Sequence, residues 1–407
     1  MSEVTDPVVI VGAGHGGTTL AALLRQGGFT APVVVVGEET HLPYHRPPLS
    51  KKFSGPEAEQ ALRPEDFYAA NAIDLRRGIS VTAIDRSAMR VSLSDGSHLP
   101  YRALVLATGS TPRPLPVPGA SGVLTLRTLD DARALGASLG RGGHLAIVGG
   151  GYVGMEVAAV ARSHGIGVTI VERERRILAR VASAELSRRL SGYHIDRGTE
   201  VLVSSDVAGI RMRDGRACGV ELADGRVLDC DTVLVGIGAA PNDALARDCG
   251  LACGQGVLVD GRGRTSDHNV YAIGDVAIRP VDGGFVRLES IPNATEQARQ
   301  VAAALLGAPA PEPEVPWFWS DQFDLKLKIA GLLSPADRIV VREGSKPGSF
   351  ALFHLSAEGS VRAVETANAG AEFMASKKFI AQGTPVRADV LGDPSVSLRE
   401  ALSPVRV

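Results

Sequence analysis

The chain has 407 residues, of which 44% are hydrophobic and 22% charged, and its formal net charge is −2. This length suggests two or three domains of an ordinary globular protein. The small net charge excludes the global positive field that attracts nucleic acid or an anionic membrane surface. No apolar stretch reaches the roughly 20 residues of a membrane span and no signal peptide is recognisable, so we expect a cytoplasmic protein.

Two stretches share one pattern, a β-branched apolar run followed by Gly-x-Gly-x-x-Gly. The first is Val8–Gly17, VVIVGAGHGG, and the second is Leu145–Glu156, LAIVGGGYVGME. In a strand–turn–helix of this kind the first glycine allows the tight turn. The second lets backbone approach a pyrophosphate at the helix N-terminus, and the third lets the helix pack against the strand. The glycines concerned are Gly12, Gly14 and Gly17, then Gly149, Gly151 and Gly154.

Each glycine stretch is followed by a second strand that leads to an acidic residue. Pro32–Val36 leads to Glu38, and Val168–Val171 leads to Glu172. A carboxylate in this place accepts hydrogen bonds from the ribose hydroxyls of an adenosine. The pair of motifs therefore predicts an α/β protein that binds two dinucleotides, with Thr18–Arg25 as the first crossover helix.

The elements that follow predict that the second dinucleotide domain is inserted into the first. Strand-like runs occur at Ile79–Ile84, Arg90–Leu93 and Tyr101–Ala107, and Asp95-Gly96 is the expected hairpin turn between the last two. The proline-rich TPRPLPVPGA then indicates a crossing between domains. The expected ranges are 1–112 and 236–316 for the first domain, 113–235 for the inserted domain, and 317–407 for a small α+β domain.

Glycine-containing segments at predicted strand ends mark further ligand contacts, because α/β sheets bind ligands at the carboxyl ends of their strands. ATGS supplies Thr108 and Gly109, and GIGAAPN supplies Gly236 and Gly238. Asp275 follows the predicted strand Val270–Ile273 and places a carboxylate at such an end.

Two other features each permit two interpretations. The segment Pro43–Phe53 either holds the cations Arg46 and Lys51 beside a polyanionic cofactor or is a rigid, solvated loop. Trp317 and Trp319, within PWFWSDQ, either pack between domains or cover a planar cofactor with one indole. Strand-like runs and a helix at 371–382 then complete the C-terminal domain.

The cysteines argue against a redox disulfide. None follows the first glycine motif, where a flavin disulfide reductase carries its pair, and none forms Cys-x-x-Cys. Cys249 and Cys253 are near enough in sequence for a disulfide or a metal role, but buried thiols in a reducing compartment are favoured. No metal site is expected.

Taken together, these motifs resemble the FAD- and NADH-dependent ferredoxin reductases of cytochrome P450 and aromatic-ring dioxygenase systems, the putidaredoxin reductase group of the glutathione-reductase-like superfamily. The resemblance covers essentially the whole chain. It rests, in order, on GAGHGG, RPPLSK, ATG, LRTLDDA, GGGYVGMEVA, GIGAAPN, VYAIGDVA, RLESIPNATEQAR and PWFWSDQ. It implies two Rossmann-like domains, for FAD and for NAD, and a small α+β C-terminal domain.

The resemblance also implies which residues act. Non-covalent FAD would be bound by Gly12, Gly14, Gly16, Gly17, Glu38, Arg46, Lys51, Val81, Thr108, Gly109, Arg127, Asp275, Ile291 and Trp319. NAD would be bound by Gly149, Gly151, Tyr152, Gly154, Glu156, Glu172, Gly236 and Gly238. The catalytic residues would be Lys51, Glu156 and Trp319, with Lys51 paired to Glu156.

The implied Lys51–Glu156 pair suits hydride transfer. A cation near flavin N5 and O4 stabilises the charge of the reduced ring, and its acidic partner orients the cation and the nicotinamide carboxamide. The other interpretation makes Glu156 a first-turn acid favoured by the helix dipole. Glu172 repels a 2′-phosphate and so favours NADH, although arginines at the next few positions would permit some NADPH use. His15 and His45 depart from the usual pattern and are expected to be neutral polar residues rather than pH sensors.

The expected function is transfer of a hydride from NADH to FAD N5 and then of single electrons to a [2Fe–2S] ferredoxin. Docking would be transient and electrostatic, with Arg299, Lys377 and Lys378 as candidates unless they are merely solvated. The protein would be a monomer or weak dimer. Rubredoxin reductase, NADH oxidase and a redox-sensing flavoprotein of the apoptosis-inducing-factor type are the alternatives.

Overall fold

A computed structural model describes residues 6–52, 58–281 and 283–402. Phe53, the last residue of the proline-rich segment discussed above, lies outside these ranges. The chain divides into two compact units. Unit 1 comprises Met1–His45, Glu59–Thr111 and Ala239–Glu314, and unit 2 comprises Arg46–Ala58, Pro112–Gly238 and Val315–Val407. The boundaries of three separate domains stay a prediction.

Unit 1 is built on a five-stranded parallel sheet. Its strands, in spatial order, are Val270–Ala272, Ala103–Leu106, Val8–Val11, Val33–Gly37 and Ile73–Arg77. The three central strands are buried along their whole length, as expected for parallel strands covered on both faces. The α-helices of this unit are His15–Gln26, Glu65–Ala70, Ala244–Asp248 and Ile291–Leu306.

One hairpin in unit 1 differs from the prediction. The turn at Asp95-Gly96 joins Arg90–Leu93 to the three-residue strand His98–Pro100, not to the run that begins at Tyr101. That run instead supplies Ala103–Leu106, which is fully buried and therefore joins the parallel sheet. The antiparallel strands of this unit are Val81–Asp85, Arg90–Leu93 and His98–Pro100, and a mixed sheet has Cys253–Gly254, Gly256–Leu258, Ala277–Val281 and Gly284–Val286.

Unit 2 contains a second parallel sheet, formed around the second glycine stretch. Its strands, in spatial order, are Thr199–Leu202, Gly167–Val171, His144–Val148 and Thr232–Val235. A three-stranded antiparallel sheet of Val207–Arg213, Arg216–Leu222 and Val227–Asp229 contains the predicted hairpin at Asp224-Gly225. The helices of this part are Leu129–Leu139, Tyr152–Ser163 and Ala184–Ile195, with 3-10 turns at Pro47–Ser50 and Ala120–Gly122.

The C-terminal part of unit 2 is a five-stranded antiparallel sheet. Its strands, in spatial order, are Trp317–Gln322, Leu325–Gly331, Val361–Ala367, Phe350–Leu355 and Arg338–Glu343. The PWFWSDQ segment is thus a strand that contacts the helix Tyr152–Ser163. The remaining helices are Gly370–Gln382 and Ala388–Gly392, with a 3-10 turn at Leu398–Ala401.

Candidate functional site

The first glycine stretch forms the expected strand–turn–helix in unit 1. Gly12 ends the strand Val8–Val11 with φ +113°, and a Cβ there would clash with the carbonyl oxygen of Ala107. A Cβ on Gly17 would clash with the carbonyl oxygen of Gly12, so the helix His15–Gln26 packs directly on the turn. Gly16 is buried against Ile273. The backbone conformation and the close packing both require glycine here.

The N-terminus of this first helix is suited to a phosphate. Its N-cap is Gly14, which has no side chain with which to cap the free N–H groups. No described heavy atom beyond the neighbouring residues lies within 4 Å of the position that a Cβ on Gly14 would take. The helices Leu129–Leu139, Ala184–Ile195 and Ile291–Leu306, by contrast, are capped by Thr128, Ser183 and Ser290.

Several buried polar atoms in unit 1 have no hydrogen-bond partner among the described residues. They include His15 Nδ1, Asn293 Oδ1 and Gln297 Nε2. His15 begins the first glycine helix, and Gln297 accepts a hydrogen bond from the backbone N–H of Gly274, next to Asp275, over 2.6 Å. Since buried polar groups are normally hydrogen-bonded, these atoms fit a polar ligand at this end of the sheet.

The strand ends of unit 1 are tied together by side chains. Asn242 donates from Nδ2 to the carbonyl oxygen of Thr108 over 2.9 Å, and Thr108 Oγ1 donates to the Asn242 carbonyl oxygen over 2.7 Å. Gly109 has φ +68° and accepts from the Asn242 N–H. Ser110 Oγ donates to Asp275 Oδ2 over 2.9 Å. The structure thus brings Thr108, Gly109 and Asp275 to one edge of the sheet.

Three other candidates for FAD binding lie at the starts or ends of elements of unit 1. Glu38 is exposed directly after the strand Val33–Gly37. Val81 is buried as the first residue of Val81–Asp85, and Ile291 is the first residue of Ile291–Leu306. Their positions are consistent with backbone or carboxylate contacts, and their roles stay predictions.

His15 and His45 form a pair in unit 1, with ring centroids 5.7 Å apart. Burial, together with the neighbouring His45 and Arg63, lowers the pKa of His15 to about 4. Burial, with Arg63, also lowers the pKa of His45. Both imidazoles are therefore neutral near pH 7, which supports their interpretation as polar residues rather than cations.

The second glycine stretch repeats the same geometry in unit 2. Gly149 has φ +108° and packs against the carbonyl group of Gly236. Gly151 is the N-cap of Tyr152–Ser163, and the nearest described atom to its hypothetical Cβ is the Gly236 oxygen at 3.7 Å. A Cβ on Gly154 would lie 2.8 Å from the carbonyl oxygen of Gly149, so this helix too packs closely on its turn. The described residues therefore fit a dinucleotide at each glycine helix.

Glu172 is fixed beside the second glycine turn. Its Oε2 accepts from the N–H of Gly150 over 2.7 Å, and its Oε1 accepts from the N–H of Glu174 over 2.8 Å. The arginines that follow differ from one another. Arg176 donates to the carbonyl oxygens of three residues, whereas Arg173 and Arg175 are exposed. The Glu172 carboxylate is thus held next to the glycine turn, where the ribose of a dinucleotide would lie.

Gly236 packs on Gly149 of the same turn, and Tyr152 is the first residue of the helix that follows it. Gly236 follows the strand Thr232–Val235 and donates from N–H to the Val148 carbonyl oxygen over 2.8 Å. Gly238 has φ +104°. The Tyr152 hydroxyl is buried without a partner among the described residues, and burial raises its pKa well above the ordinary value.

Lys51 and Glu156 form an ion pair in unit 2, with Nζ and Oε1 2.9 Å apart. Their side chains are 17% and 6% exposed, so the pair is largely withdrawn from water. Two hydroxyls also donate to this carboxylate: Ser320 Oγ to Oε1 over 2.7 Å, and Ser50 Oγ to Oε2. The first turn of the helix Tyr152–Ser163 contains no acidic residue, because Glu156 lies beyond it. The interpretation of Glu156 as a first-turn acid is therefore wrong, and side chains from two other segments converge on its carboxylate instead.

The remaining candidates for FAD binding in unit 2 lie on two elements. Arg46 donates from Nη1 to the carbonyl oxygen of Arg127 over 2.6 Å, so the structure brings these two residues together. Trp319 is half-buried in the strand Trp317–Gln322, with its ring 5.7 Å from that of Trp317. Trp317 in turn packs on Phe373. Packing on Phe373 accounts for Trp317, whereas the half-buried Trp319 has no such partner beyond Trp317 among the described residues.

All four cysteines lie in the described residues and are free thiols. Burial raises the pKa of Cys230 to about 12 and also raises the pKa values of Cys249 and Cys253. These protonated thiols are poor nucleophiles. The described part of the chain contains no group of three or more His, Cys, Asp or Glu residues arranged to hold a metal.

Sequence reasoning did not single out several residues that contact the candidates. Ser50, Ser110, Asn242 and Ser320 each hydrogen-bond to a candidate residue. All but Ser110 lie within motifs that carry the resemblance, namely RPPLSK, GIGAAPN and PWFWSDQ. The motif was the available signal, but it does not say which hydroxyl or amide faces a carboxylate or a carbonyl group.

Comparison with known proteins identifies the family. A model described as pyridine nucleotide-disulphide oxidoreductase matches residues 6–298, and one described as reductase C-terminal matches residues 317–402. The chain therefore belongs to the pyridine nucleotide-disulphide oxidoreductase family. It is an oxidoreductase, and its family implies the use of a flavin and a pyridine nucleotide.

Relatives that match nearly the whole chain include ferredoxin reductases. The probable ferredoxin reductase CtmF of Castellaniella defragrans is 44% identical over 97% of this chain and 98% of its own. The ferredoxin–NAD(+) reductase component of the anthranilate 1,2-dioxygenase system of Burkholderia cepacia is 40% identical over 98% of this chain and 99% of its own. A crystal structure of the covalent putidaredoxin reductase–putidaredoxin complex matches with TM-score 0.93 and 40% identity, covering 97% of this chain and 98% of that chain.

The predicted fold class, with two Rossmann-like parallel sheets and a C-terminal antiparallel sheet, is confirmed. No helix of the described residues is long and apolar enough to cross a membrane.

Proposed function

We propose that this protein is an NADH-dependent ferredoxin reductase that binds FAD non-covalently and serves a cytochrome P450 or ring-hydroxylating dioxygenase system. The observation that carries the proposal is the Lys51–Glu156 ion pair, with its atoms 2.9 Å apart at the second glycine helix. A shielded cation and anion, held by two hydroxyls, form the kind of fixed electrostatic environment that hydride transfer uses. The names of the relatives support the same assignment.

The proposed cofactor sites follow the two glycine turns. FAD would lie at Gly12, Gly14, Gly16 and Gly17, with the other FAD-binding residues named from the resemblance. When bound, FAD accepts a hydride from NADH and passes on its two electrons one at a time. NADH would lie at Gly149, Gly151 and Gly154, where the helix N-terminus favours a pyrophosphate.

Within this scheme, the protein side chains orient and stabilise. Lys51 supplies a positive charge that is largely shielded from water, and Glu156 fixes the position of that charge. Neither residue needs to transfer a proton, because hydride transfer depends chiefly on the placement of the two reacting rings. Ser50 and Ser320 hold the Glu156 carboxylate as an acceptor.

The preference for NADH over NADPH is assigned to Glu172. The N–H groups of Gly150 and Glu174 hold this carboxylate beside the glycine turn. An anion fixed there accepts hydrogen bonds from ribose hydroxyls and repels a 2′-phosphate. Arg176, committed to backbone carbonyl oxygens, is not expected to offset the repulsion.

Electrons would leave to a [2Fe–2S] ferredoxin and not through a disulfide, because all four cysteines are free thiols and none follows the first glycine stretch in sequence. Trp319 would stand beside the flavin.

Lys378, exposed on the helix Gly370–Gln382, is a candidate for transient electrostatic docking of the ferredoxin, and Lys377 Nζ lies 5.4 Å from the centre of the Trp317 ring. Arg299 is a weaker candidate since it is paired with Glu314.

The proposal extends to the domain boundaries, the cellular location and the oligomeric state of the protein. We propose an FAD domain at 1–112 and 236–316, an NAD domain at 113–235 and a C-terminal domain at 317–407. A cytoplasmic location fits four free thiols, which persist in a reducing compartment. We propose a monomer or weak dimer, which sedimentation at several concentrations would test.

The test is anaerobic mixing of the purified protein with NADH, followed by addition of a [2Fe–2S] ferredoxin with cytochrome c as final acceptor. We expect rapid bleaching of the flavin absorbance and reoxidation that requires the ferredoxin. A flavin that bleaches but is reoxidised equally fast by oxygen alone would favour an NADH oxidase. Bleaching that persists with every ferredoxin and rubredoxin would favour a redox sensor, and no bleaching would contradict the proposal.

A further inference from the structure

A line of buried polar side chains leads from the helix Ala184–Ile195 to the carboxylate of Glu156. We propose that Ser320, supported by Gln322 and His194, is a positioning residue that fixes the orientation of the Glu156 carboxylate as an acceptor for the nicotinamide end of the nucleotide. This inference rests on the proposed function and adds to it a role for the C-terminal sheet in hydride transfer.

The line is continuous. Ser320 Oγ lies 2.7 Å from Glu156 Oε1, and Gln322 Nε2 lies 3.1 Å from Ser320 Oγ. His194 Nε2 lies 3.0 Å from Gln322 Oε1. Each distance is that of a direct hydrogen bond, so no bridging water is required. Two elements contribute, because Ser320 and Gln322 lie on one strand and His194 lies on a helix.

Each hydrogen bond in this line is donated in the direction of Glu156, from His194 to Gln322, from Gln322 to Ser320 and from Ser320 to the carboxylate. A serine hydroxyl has one proton, and Ser320 receives a hydrogen bond from the Gln322 amide, so its own proton is available for the carboxylate. The carbonyl oxygen of Gln322 accepts from His194, which therefore carries a proton on Nε2. Burial lowers the pKa of His194 to about 4, so the ring is neutral and leaves Nδ1 as an acceptor. The line therefore ends in a hydroxyl group that donates a hydrogen bond to the Glu156 carboxylate.

Because these side chains are buried, other hydrogen-bonding arrangements are disfavoured. Ser320, Gln322 and His194 are each 0% exposed, and Glu156 is 5% exposed. Water cannot readily replace a missing donor at such positions, and rotation of one side chain would leave its neighbour without a partner. Ser320 is therefore held in one orientation, and it holds one oxygen of Glu156 in turn.

Lys51 and Ser320 act on the same oxygen in different ways. Lys51 brings charge on a long side chain that is 17% exposed, whereas Ser320 brings a neutral donor from a buried strand. The lysine compensates the negative charge, and the serine defines the direction in which the carboxylate faces. Loss of Ser320 should thus impair the geometry of hydride transfer more than the binding of the nucleotide.

The test compares Ser320→Ala and Ser320→Thr with Ser376→Ala as a matched control. Ser376 is also 0% exposed in the C-terminal part, but its hydroxyl donates to the carbonyl oxygen of Glu372, outside the line. In stopped-flow experiments we expect Ser320→Ala to lower the rate of flavin reduction by NADH about tenfold, and Ser320→Thr to retain it within about threefold. A second variant, Gln322→Met, leaves the hydroxyl free to turn and should lower the rate about threefold.

Binding is measured in the same proteins with ADP-ribose, which lacks nicotinamide, by calorimetry. Its dissociation constant should change less than about twofold in Ser320→Ala, because the glycine turn and Glu172 are unaltered. Equal rates in Ser320→Ala and Ser376→Ala would overturn the inference. So would a loss of ADP-ribose affinity in proportion to the loss of rate, since that would indicate general structural damage. If the wild-type flavin is not reduced by NADH, the proposed function and the inference fail together; a reducible wild type with an unimpaired Ser320→Ala refutes the inference alone.

Discussion

The carboxylate of Glu172 accepts a hydrogen bond from the backbone N–H of Gly150 over 2.7 Å, across 22 residues of sequence. This acid therefore both shapes the glycine turn and places a negative charge beside it. We predict that Glu172→Gln, which keeps an acceptor for Gly150 but removes the charge, raises kcat/KM for NADPH about tenfold and lowers that for NADH severalfold. Steady-state kinetics with both nucleotides measure the change. Glu174→Gln, on the same loop, is the control, and an unchanged ratio in Glu172→Gln would refute the assignment.

The Lys51–Glu156 pair predicts strong coupling between two substitutions. Lys51→Met should lower the rate of flavin reduction by NADH about tenfold to a hundredfold, because a shielded cation is lost and its carboxylate partner remains. Glu156→Gln should do the same, but the double variant should be little worse than either single one, since the two residues act together. Stopped-flow absorbance measures all three, with Lys52→Met as a neighbouring control. Effects that multiply in the double variant would show that the residues act independently.

Two glycines of the first turn should respond differently to alanine. Gly12 has φ +113°, and a Cβ there would clash with the carbonyl oxygen of Ala107, so Gly12→Ala should lower the melting temperature even without FAD. Gly14 has open space at its Cβ position, so Gly14→Ala should leave the apoprotein stable and weaken FAD binding about tenfold or more. Thermal unfolding and FAD titration of the apoproteins check both. Normal FAD affinity in Gly14→Ala would place the pyrophosphate elsewhere.

His194 predicts a loss of stability in mild acid. Its pKa is about 4 in the folded protein and 6.5 ordinarily, because burial disfavours the charged ring. The unfolded chain thus takes up the proton first, so stability is full above pH 6.5 and falls as the pH drops toward 4. The loss from this residue between pH 7.5 and pH 5 is about 2 kcal/mol. Urea unfolding at the two pH values should show this loss of stability in the wild type. In His194→Gln the loss should be smaller by about the same amount, whereas the exposed His164→Gln should behave as wild type.

Lys378 predicts the salt dependence of electron delivery. Because it is exposed on the helix Gly370–Gln382, Lys378→Glu should slow ferredoxin-dependent cytochrome c reduction about fivefold at low salt, relative to ferricyanide reduction by the same preparation. The difference should shrink at high salt as charges are screened. Lys346→Glu, an exposed charge reversal elsewhere in the C-terminal sheet domain, is the control. An equal effect of the two reversals would mean that only net charge matters.

The sequence predicts the parts of the fold whose signals are local. The glycine stretches and the apolar runs beside them are periodic over a few residues, and the structure forms strands and helices there within a few residues of the predicted bounds. The edge strand Ile73–Arg77 was not predicted, because IDLRR is short and three of its five residues are charged. The hairpin error has a similar cause, since His98–Pro100 is too short to show a period.

The site could be predicted only where a motif carried it. The resemblance named Lys51 and Glu156, and the structure brings them within 2.9 Å. It did not name Ser50 or Ser320, which lie 106 and 164 residues from Glu156 in the chain. No local pattern tells which of many serines faces a distant carboxylate, because that depends on how separate strands and helices pack.

The strand order of the two parallel sheets sets an order of assembly during synthesis. The second sheet draws every strand from residues 144–235, so it can close as soon as Thr232–Val235 has emerged from the ribosome. The first sheet has four strands within the first 106 residues but needs Val270–Ala272 at its edge, beside Ala103–Leu106. Until then the nascent chain exposes an apolar sheet edge, which invites wrong pairing. The sheet that begins the polypeptide is thus the later of the two to be completed.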